Sequence, residues 1–199
     1  MVSKKNSLKS CILGILGLVL LVHLVSSSAH AFGRRMPELE TVKEVNVPQY
    51  MGLWYEIARI DQSFERGCTA VTAEYALQAN GNVSVTNTCR QDWVYGEKKV
   101  AHGTAKVVDS TTNAKLDVSF FWPFSGDYWI LELGQNYEYA VVGAPGRDYL
   151  WILARKPEIN EVLYQEILQR RAAQGFPVES VIRTLQPSPE NPDSDWGGV

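Results

Sequence analysis

The sequence predicts a mainly β protein, in which eight antiparallel strands form a sheet and one C-terminal helix packs against its outside. Strand-like segments follow one another at short spacing, turn signals separate them, and the single helical pattern comes only after the last of them. Eight short strands without intervening helices are typical of a barrel or a sandwich. An eight-stranded barrel is just wide enough for one small ligand, whereas a sandwich fills its interior with interdigitated side chains.

The first 31 residues have the pattern of a secretory signal peptide. A basic start with three lysines precedes an apolar run over residues 12–25, and Ala29-His30-Ala31 is a small-residue cleavage site. The run is shorter than the roughly 20 residues that cross a membrane, so cleavage after Ala31 is favoured over retention as an anchor. Cys11 precedes the run, whereas a lipid-attachment cysteine follows it, so we expect Cys11 to leave with the signal.

The remaining 168 residues have the size of one domain with a sizeable core. Loss of the signal removes three lysines and no acid, so the net charge changes from −3 to −6. Such an acidic chain without an arginine-rich stripe is not expected to bind nucleic acid. We predict an N-terminal arm over residues 32–46, the folded domain over 47–186 and a disordered tail over 187–199, which is rich in Pro, Asp, Ser and Gly.

The folded domain begins with eight predicted strands. Alternation of apolar residues marks several of them, as at Val71, Ala73 and Tyr75. Turn sequences such as Asn80-Gly81 separate neighbouring strands. The predicted strands are residues 52–60, 69–77, 82–89, 97–108, 114–121, 127–133, 137–143 and 149–155.

One helix is predicted after the last of these strands, over residues 159–174. Its apolar stripe is narrow, which indicates a helix on the outside of the sheet. Gly175 follows at the position where many helices end in a left-handed residue, and a last short strand is predicted over residues 181–185. The stripe consists of Ile159, Val162, Leu163, Glu166 and Ile167.

Cys68 and Cys89 are the two cysteines beyond the signal, and we predict that they form a disulfide. Export places the chain in an oxidising compartment. Folding the second and third strands about Asn80-Gly81 brings the two cysteines close to opposite each other. A bond that closes such a loop stabilises the fold by about 3 kcal/mol on the chain-entropy model. The alternative is two separate buried thiols.

The start and the end of the domain carry motifs that resemble the lipocalin family. Gly52-Leu53-Trp54-Tyr55 opens the first strand, and Trp151-Ile152-Leu153-Ala154-Arg155 ends the last strand before the helix. Glu65-Arg66-Gly67 and Phe120-Phe121-Trp122-Pro123-Phe124 are similar to runs of the bacterial outer-membrane and apolipoprotein D branch. The resemblance covers about residues 47–185 and implies an eight-stranded up-and-down barrel.

The resemblance also implies that Gly52, Trp54 and Arg155 close one end of the barrel. The indole of Trp54 would lie beneath the guanidinium of Arg155, a contact worth about 0.5–2 kcal/mol. Strand alternation then turns Trp54, Glu56 and Ala58 inward, with Glu56 buried and hydrogen-bonded near Arg155. This is a structural role and not a contact with the ligand.

The ligand would then occupy the open end, where the sequence is rich in aromatic residues. The turn at residues 122–126 is too apolar for an ordinary loop, so it either folds onto the barrel wall or forms an apolar rim that contacts lipid, a membrane or a second subunit. The candidate cavity residues are Phe64, Tyr75, Trp93, Phe120, Trp129, Tyr139 and Trp151, each of which is alternatively ordinary packing. The candidate partners of an anionic head group, alternatively solvated, are Arg59, Arg66, Arg90, Lys98 and Lys99.

We therefore expect a non-enzymatic carrier that stores or transports a fatty acid or a lysophospholipid, with no cofactor or metal. Burial of an acyl chain would drive binding at about 0.8 kcal/mol per methylene. The resemblance implies a role in maintaining the cell envelope under stress. We expect an exported monomer or homodimer, periplasmic or secreted, with outer-membrane association through the apolar rim or a partner as a second hypothesis.

Three other functions are weighed against this one. A lipocalin-type enzyme, an isomerase or epoxidase acting on a bound lipid with Glu56 as its carboxylate, is compatible with the fold. A pigment or haem carrier would have only His102 as an iron ligand, because the other histidines lie in the signal. The sequence has no Gly-x-Ser-x-Gly elbow or His-Glu-x-x-His motif, which disfavours the enzyme. The third is an interaction module whose barrel is filled by its own aromatic side chains.

Overall fold

The computed structural model describes residues 36–187. The predicted signal peptide, the first residues of the predicted arm and the predicted tail from residue 188 onward lie outside the described residues. Within residues 36–187, no helix is long and apolar enough to cross a membrane.

The chain forms a closed antiparallel barrel of eight strands with one additional short strand. Consecutive strands pair from β2 to β8, β8 pairs with β1, and β1 pairs back with β2, which closes the barrel. The predicted barrel is confirmed, and each of the eight strands begins and ends within three residues of its prediction. The strands are β1 (Gly52–Ile60), β2 (Cys68–Leu77), β3 (Val83–Gln91), β4 (Lys98–Val107), β5 (Lys115–Phe121), β6 (Phe124–Leu133), β7 (Tyr139–Gly143), β8 (Leu150–Ala154) and β9 (Val181–Arg183).

Two α-helices flank the barrel strands in the described residues, a single turn α1 (Val47–Tyr50) before β1 and α2 (Glu161–Ala173) after β8. The side chain of Asn160 caps α2 by accepting hydrogen bonds from the first-turn backbone amides. Gly175 has φ +88 and ends the helix, as predicted.

The buried stripe of α2 differs from the predicted one. The helix buries Tyr164, Ile167 and Arg171, while Val162 is exposed. The prediction gave too much weight to apolar character, because a tyrosine and an arginine occupy two of the three positions that face the barrel.

Alternate side chains of the strands form two separate cores. One core lines the barrel interior and includes Trp54, Leu116 and Val142. The other lies between the outer wall of the barrel and α2, where Ile152 packs with Ile167. The same strands therefore supply an inner and an outer apolar surface.

A β-bulge in β1 changes the direction of its last residues. Glu56 is opposite Leu153 in β8, but Ala58 and not Ile57 is opposite the next residue, Ile152. Ile57 and Ala58 consequently both pack in the outer core, and Arg59 turns to the side of Glu56. The prediction that Ala58 faces inward is wrong, because it assumed unbroken alternation.

The C-terminal segment occupies the gap where β1 and β2 separate. These two strands pair only over Gly52–Tyr55. Beyond that point β9 pairs with the end of β1, and the backbone amide of Ala70 in β2 donates to the carbonyl of Leu185 at 2.7 Å. The wall of the barrel is thus continued by a strand from the far end of the domain.

The predicted disulfide is confirmed between Cys68 in β2 and Cys89 in β3, with 5.4 Å between their Cα atoms. Gly81 of the connecting turn has φ +83, a backbone conformation that favours glycine. The side chain of Asn80 accepts a hydrogen bond from the backbone of Asn82 at 3.0 Å and fixes the turn.

Candidate ligand site in the barrel

The barrel is closed at the end where β1 begins. The Arg155 guanidinium lies 3.8 Å from the centre of the Trp54 indole, and it donates to the carbonyls of Tyr50 and Leu53 at 3.1 and 2.8 Å. Trp54 itself donates from Nε1 to the Tyr50 carbonyl at 2.9 Å. Gly52 has φ +92 and approaches the Arg155 guanidinium closely, so a side chain there would be strained. These contacts tie α1 across the base of the barrel.

A cluster of three tyrosines forms a polar spot inside the otherwise apolar inner core. The Tyr128 hydroxyl lies 2.8 Å from that of Tyr50 and 2.9 Å from that of Tyr75. Burial raises the pKa of Tyr75 to about 12 and the pKa values of the other two well above their usual range. All three phenols are therefore neutral hydrogen-bonding groups at physiological pH.

A buried ion cluster lies in β1 and in the loop that follows it. Arg59 is 2% exposed and donates to a carboxylate oxygen of Glu56 at 2.8 Å and to one of Asp61 at 3.1 Å. Thr184 also donates to Glu56, and the Arg59 Nε lies 3.7 Å from the Glu65 carboxylate. Glu56 was predicted near Arg155, but Arg155 is occupied by backbone carbonyls, and the bulge in β1 brings Arg59 to Glu56 instead.

Burial raises the pKa values of two carboxyl groups in this cluster. Burial raises the pKa of Glu56 despite the opposing contacts with Thr184 and Arg59. Burial and the nearby charge of Glu56 raise the pKa of Glu65 to about 7. Three carboxylates surround Arg59 and already compensate its charge inside the protein. Arg59 is therefore not a free cation that could pair with an anionic head group.

The other end of the barrel carries stacked aromatic rings. The Phe64 ring stacks on Tyr149 with 6.4 Å between ring centres, and Tyr149 stacks on Trp151 at 5.8 Å. The indole Nε1 of Trp151 donates to the Glu65 carboxylate at 3.1 Å. The Glu65 carboxylate and the Phe64 ring therefore hold the loop between β1 and β2 against this mouth. Trp93 lies on the β3–β4 loop at the same end and packs edge-on against Tyr95.

The turn between β5 and β6 projects from the mouth. Phe121, Trp122 and Phe124 are 75, 87 and 71% exposed, and the two phenylalanines stack on each other with 6.5 Å between ring centres. These rings keep most of their surface exposed to solvent, while Trp122 also lines a cavity on the outer wall together with Thr104. The turn therefore combines the two predicted alternatives. It forms an apolar rim at the mouth.

Five of the seven predicted cavity residues lie in the barrel interior or at its mouth. Tyr75 and Trp151 pack in or against the inner core. Phe64 and Trp93 are exposed on mouth loops, and Phe120 lies at the mouth against Gly103.

The other two predicted cavity residues lie on the outer wall. Trp129 and Tyr139 pack against the outer core. The Lys115 ammonium lies over the Trp129 ring at 4.1 Å, and the Tyr139 hydroxyl donates to Glu132 at 2.8 Å. Their assignment to the cavity is corrected, because their strand neighbours Ile130 and Ala140 take the inward positions.

The prediction also missed inward residues. Tyr128 alternates with Ile130 in β6, so the alternation rule applied to β6 would have found it. Glu65 carried no such signal, because a loop that folds back over the mouth places it. Arg59 was predicted as a partner of an anionic head group, and the bulge in β1 turns it toward Glu56 instead.

Comparison with known proteins identifies the family of this barrel. Residues 45–186 match the family model described as a lipocalin-like domain. The chain is a lipocalin. Lipocalins bind small hydrophobic ligands. Outer membrane lipoprotein Blc of Vibrio cholerae is 40% identical to this lipocalin over 153 residues, which are 76% of this chain and 89% of the relative.

More distant relatives share the fold. Apolipoprotein D of Bos taurus is 36% identical over 131 residues, which cover 62% of this lipocalin and 67% of the relative. Insecticyanin from the tobacco hornworm Manduca sexta superimposes with a TM-score of 0.61 at 18% identity, over 74% of this chain and 84% of that structure. At that identity the likeness to insecticyanin shows the fold alone.

Proposed function

We propose that this lipocalin binds a fatty acid or a lysophospholipid in its barrel and stores or carries it without chemical change. The observation that carries the proposal is the inner wall, where apolar side chains such as Val85, Leu116 and Val118 lead to a mouth rimmed by exposed aromatic rings. About ten buried methylenes would contribute about 8 kcal/mol, which corresponds to micromolar affinity.

The charges near the mouth favour a lysophospholipid over a fatty acid. A fatty-acid carboxylate entering beside Arg59 would meet a guanidinium that Glu56, Asp61 and Glu65 already surround. Because Asp61 already pairs with the guanidinium, a further carboxylate would gain little attraction there. A zwitterionic head group carries no net charge and does not depend on that attraction.

The hydrogen bonds of Glu56 support a carrier function over an enzymatic one. This carboxylate, the candidate catalytic group, accepts hydrogen bonds from both Arg59 and Thr184. Such contacts hold a structural carboxylate in place, whereas a general base needs an oxygen directed at its substrate. The relatives also carry the names of an outer membrane lipoprotein and an apolipoprotein.

We further infer an exported protein that works in the periplasm at the outer membrane. The predicted signal peptide and the name of the Vibrio cholerae relative support the location. The exposed rings of Phe121, Trp122 and Phe124 lie at the mouth, where contact with a membrane would let a lipid pass between bilayer and barrel.

Titration with oleic acid and with 1-oleoyl-lysophosphatidylcholine tests ligand binding. Trp151 packs against the inner core, so we expect a saturable change in tryptophan fluorescence at micromolar ligand, at lower concentration for the lysophospholipid. Val118→Trp would place an indole inside the barrel and should weaken binding about tenfold or more. Asp117→Trp is the matched control, because the preceding residue of β5 faces outward.

Three results would contradict the proposal. The first is the absence of a saturable signal with either lipid in a folded protein, and the second is an equal loss of binding in the two tryptophan variants. The third concerns the chemistry: each lipid extracted after incubation should have an unchanged mass and an unchanged proton NMR spectrum. A changed mass, or the same mass with a changed spectrum as an isomerase would give, would favour the enzyme.

A further inference from the structure

We propose that the outer face of β4 and β5 holds a second binding site, separate from the barrel interior, that takes the ring of a sugar. A cavity of about 590 Å³ opens there beneath the β5–β6 turn, a volume within the range of small-molecule sites. This face belongs to neither core, since the inner core takes the alternate residues Ala105, Leu116 and Val118.

The floor of this cavity consists of polar side chains in a regular array. Thr104 is directly opposite Ser119, and Lys106 is directly opposite Asp117. Opposed side chains in an antiparallel pair begin about 5 Å apart, and successive outward residues of one strand lie about 7 Å apart. The four side chains therefore form a rectangle on the scale of a pyranose ring and its hydroxyl groups.

Three of the four side chains of the floor are not used within the described residues. Lys106 and Asp117 are opposed, yet in the described part of the chain neither makes an ion pair or a side-chain hydrogen bond, and Thr104 makes no side-chain hydrogen bond. Ser119 donates to the Phe124 carbonyl at 2.6 Å and anchors the turn. Both hydrogen-bond donors and acceptors are therefore free to meet a ligand.

The rim of the cavity is aromatic. Phe120, Trp122 and Pro123 line it beside the polar floor, and the Trp122 ring is largely exposed. The face of an indole carries partial negative charge and attracts the weakly positive C–H groups of a sugar ring. A flat apolar wall beside a polar floor matches a molecule with one C–H face and a rim of hydroxyls.

Charge excludes the other small-ligand classes. Lys106 and Asp117 cancel, so a phosphate would be repelled by the carboxylate and an amine by the ammonium. An acyl chain would leave the polar floor without hydrogen-bond partners. A neutral polyhydroxyl ring satisfies donors and acceptors together, and because the cavity is open to solvent we expect weak, millimolar binding.

Saturation-transfer NMR with the methyl α-pyranosides of glucose, galactose and mannose tests this site on the full folded chain. We expect saturable binding of at least one of them and strongest transfer to the C–H face that meets Trp122. Trp122→Ala and Asp117→Asn should each weaken it at least fivefold. Trp93→Ala, which removes another exposed mouth indole, should leave it unchanged.

The same pair of β5 variants separates this proposal from the lipid-binding one. Asp117→Trp should abolish sugar binding and spare lipid binding, and Val118→Trp should do the reverse. No saturable binding of any of the three sugars to the folded protein would overturn the proposal. So would tighter binding of glycerol phosphate than of sugars, or equal losses in Trp93→Ala and Trp122→Ala.

Discussion

Glu65 is an ionisable side chain at the mouth whose pKa, about 7, lies near neutral pH. Its pKa in the unfolded chain is near 4.5, so between these values the folded state binds more protons than the unfolded state. The free energy of unfolding therefore falls as the pH rises from about 4.5 to 7.

Glu65→Gln should remove this part of the pH dependence. Urea unfolding at pH 5 and pH 7.5 measures the free energy of unfolding at the two pH values. Between them this free energy should fall by on the order of 1–3 kcal/mol more in the wild-type protein than in the variant. Glu74→Gln, at an exposed position of β2, serves as the control and should lose as much as wild type. Identical profiles for wild type and Glu65→Gln would show that Glu65 ionises normally.

Arg155 and Arg59 show how the same residue type takes two roles in one barrel. Arg155 donates to backbone carbonyls of the segment around Tyr50 and lies on Trp54, a role that a local motif specifies. Arg59 is surrounded by carboxylates from β1 and the following loop. That role depends on where the loop folds, which no short motif encodes.

At the scale of elements, the sequence predicted the barrel strands because their signals are local. Alternating apolar residues lie within each strand, and turn sequences such as Asn80-Gly81 lie within a few residues of its ends. The observed strand bounds are therefore close to the predicted ones. The direction of individual side chains was less predictable. The bulge in β1 exchanged Ala58 and Arg59 between the two faces, and no short motif in β1 announces it.

One carboxylate, that of Glu132, joins α2 to the barrel in addition to the apolar packing of the outer core. Glu132 in β6 accepts from Arg170 at 2.6 Å, from Arg171 at 3.0 Å and from the Tyr139 hydroxyl. Arg171 is almost completely buried. Its charge would lose its ion-pair partner if the carboxylate were removed.

We therefore expect Glu132→Ala to lower the free energy of unfolding by about 3 kcal/mol, in line with the loss of one partner of a buried pair. Glu166→Ala is the matched control, since Glu166 is an exposed partner of Arg170 one helical turn away, and such surface pairs contribute about 0–1 kcal/mol. Chemical denaturation measures both. Equal, small losses in the two variants would show that α2 is held by apolar packing alone.

At the scale of the whole molecule, the two ends of the barrel are built differently. The closed end is fixed by hydrogen bonds from Arg155 to the backbone. The mouth carries stacked and exposed aromatic rings and the ion cluster around Arg59. An antiparallel up-and-down barrel places alternate loops at opposite ends, so the aromatic loops that follow β1, β3 and β5 necessarily meet at one end. Ligand entry and membrane contact are then expected from the same side.

This polarity predicts that the protein meets a membrane mouth first. Phe121→Ser/Phe124→Ser removes two exposed rings from the β5–β6 turn without changing Trp122 of the outer cavity. Since burying a phenylalanine contributes about 1.5–3 kcal/mol, partial insertion of both rings should make vesicle binding at least tenfold stronger in wild type than in the double variant. Co-sedimentation with phosphatidylethanolamine–phosphatidylglycerol vesicles measures it.

Val108→Ser is the control for membrane orientation. Val108 is a well-exposed apolar residue just after β4, at the closed end of the barrel, so its removal should leave vesicle binding unchanged. Equal losses in both variants would mean that the barrel contacts the membrane without a preferred orientation. The inner wall stays intact when the rim is made polar. Phe121→Ser/Phe124→Ser should therefore lose vesicle binding but still bind lipid at micromolar concentration in detergent-free solution. This result would separate membrane docking from ligand binding.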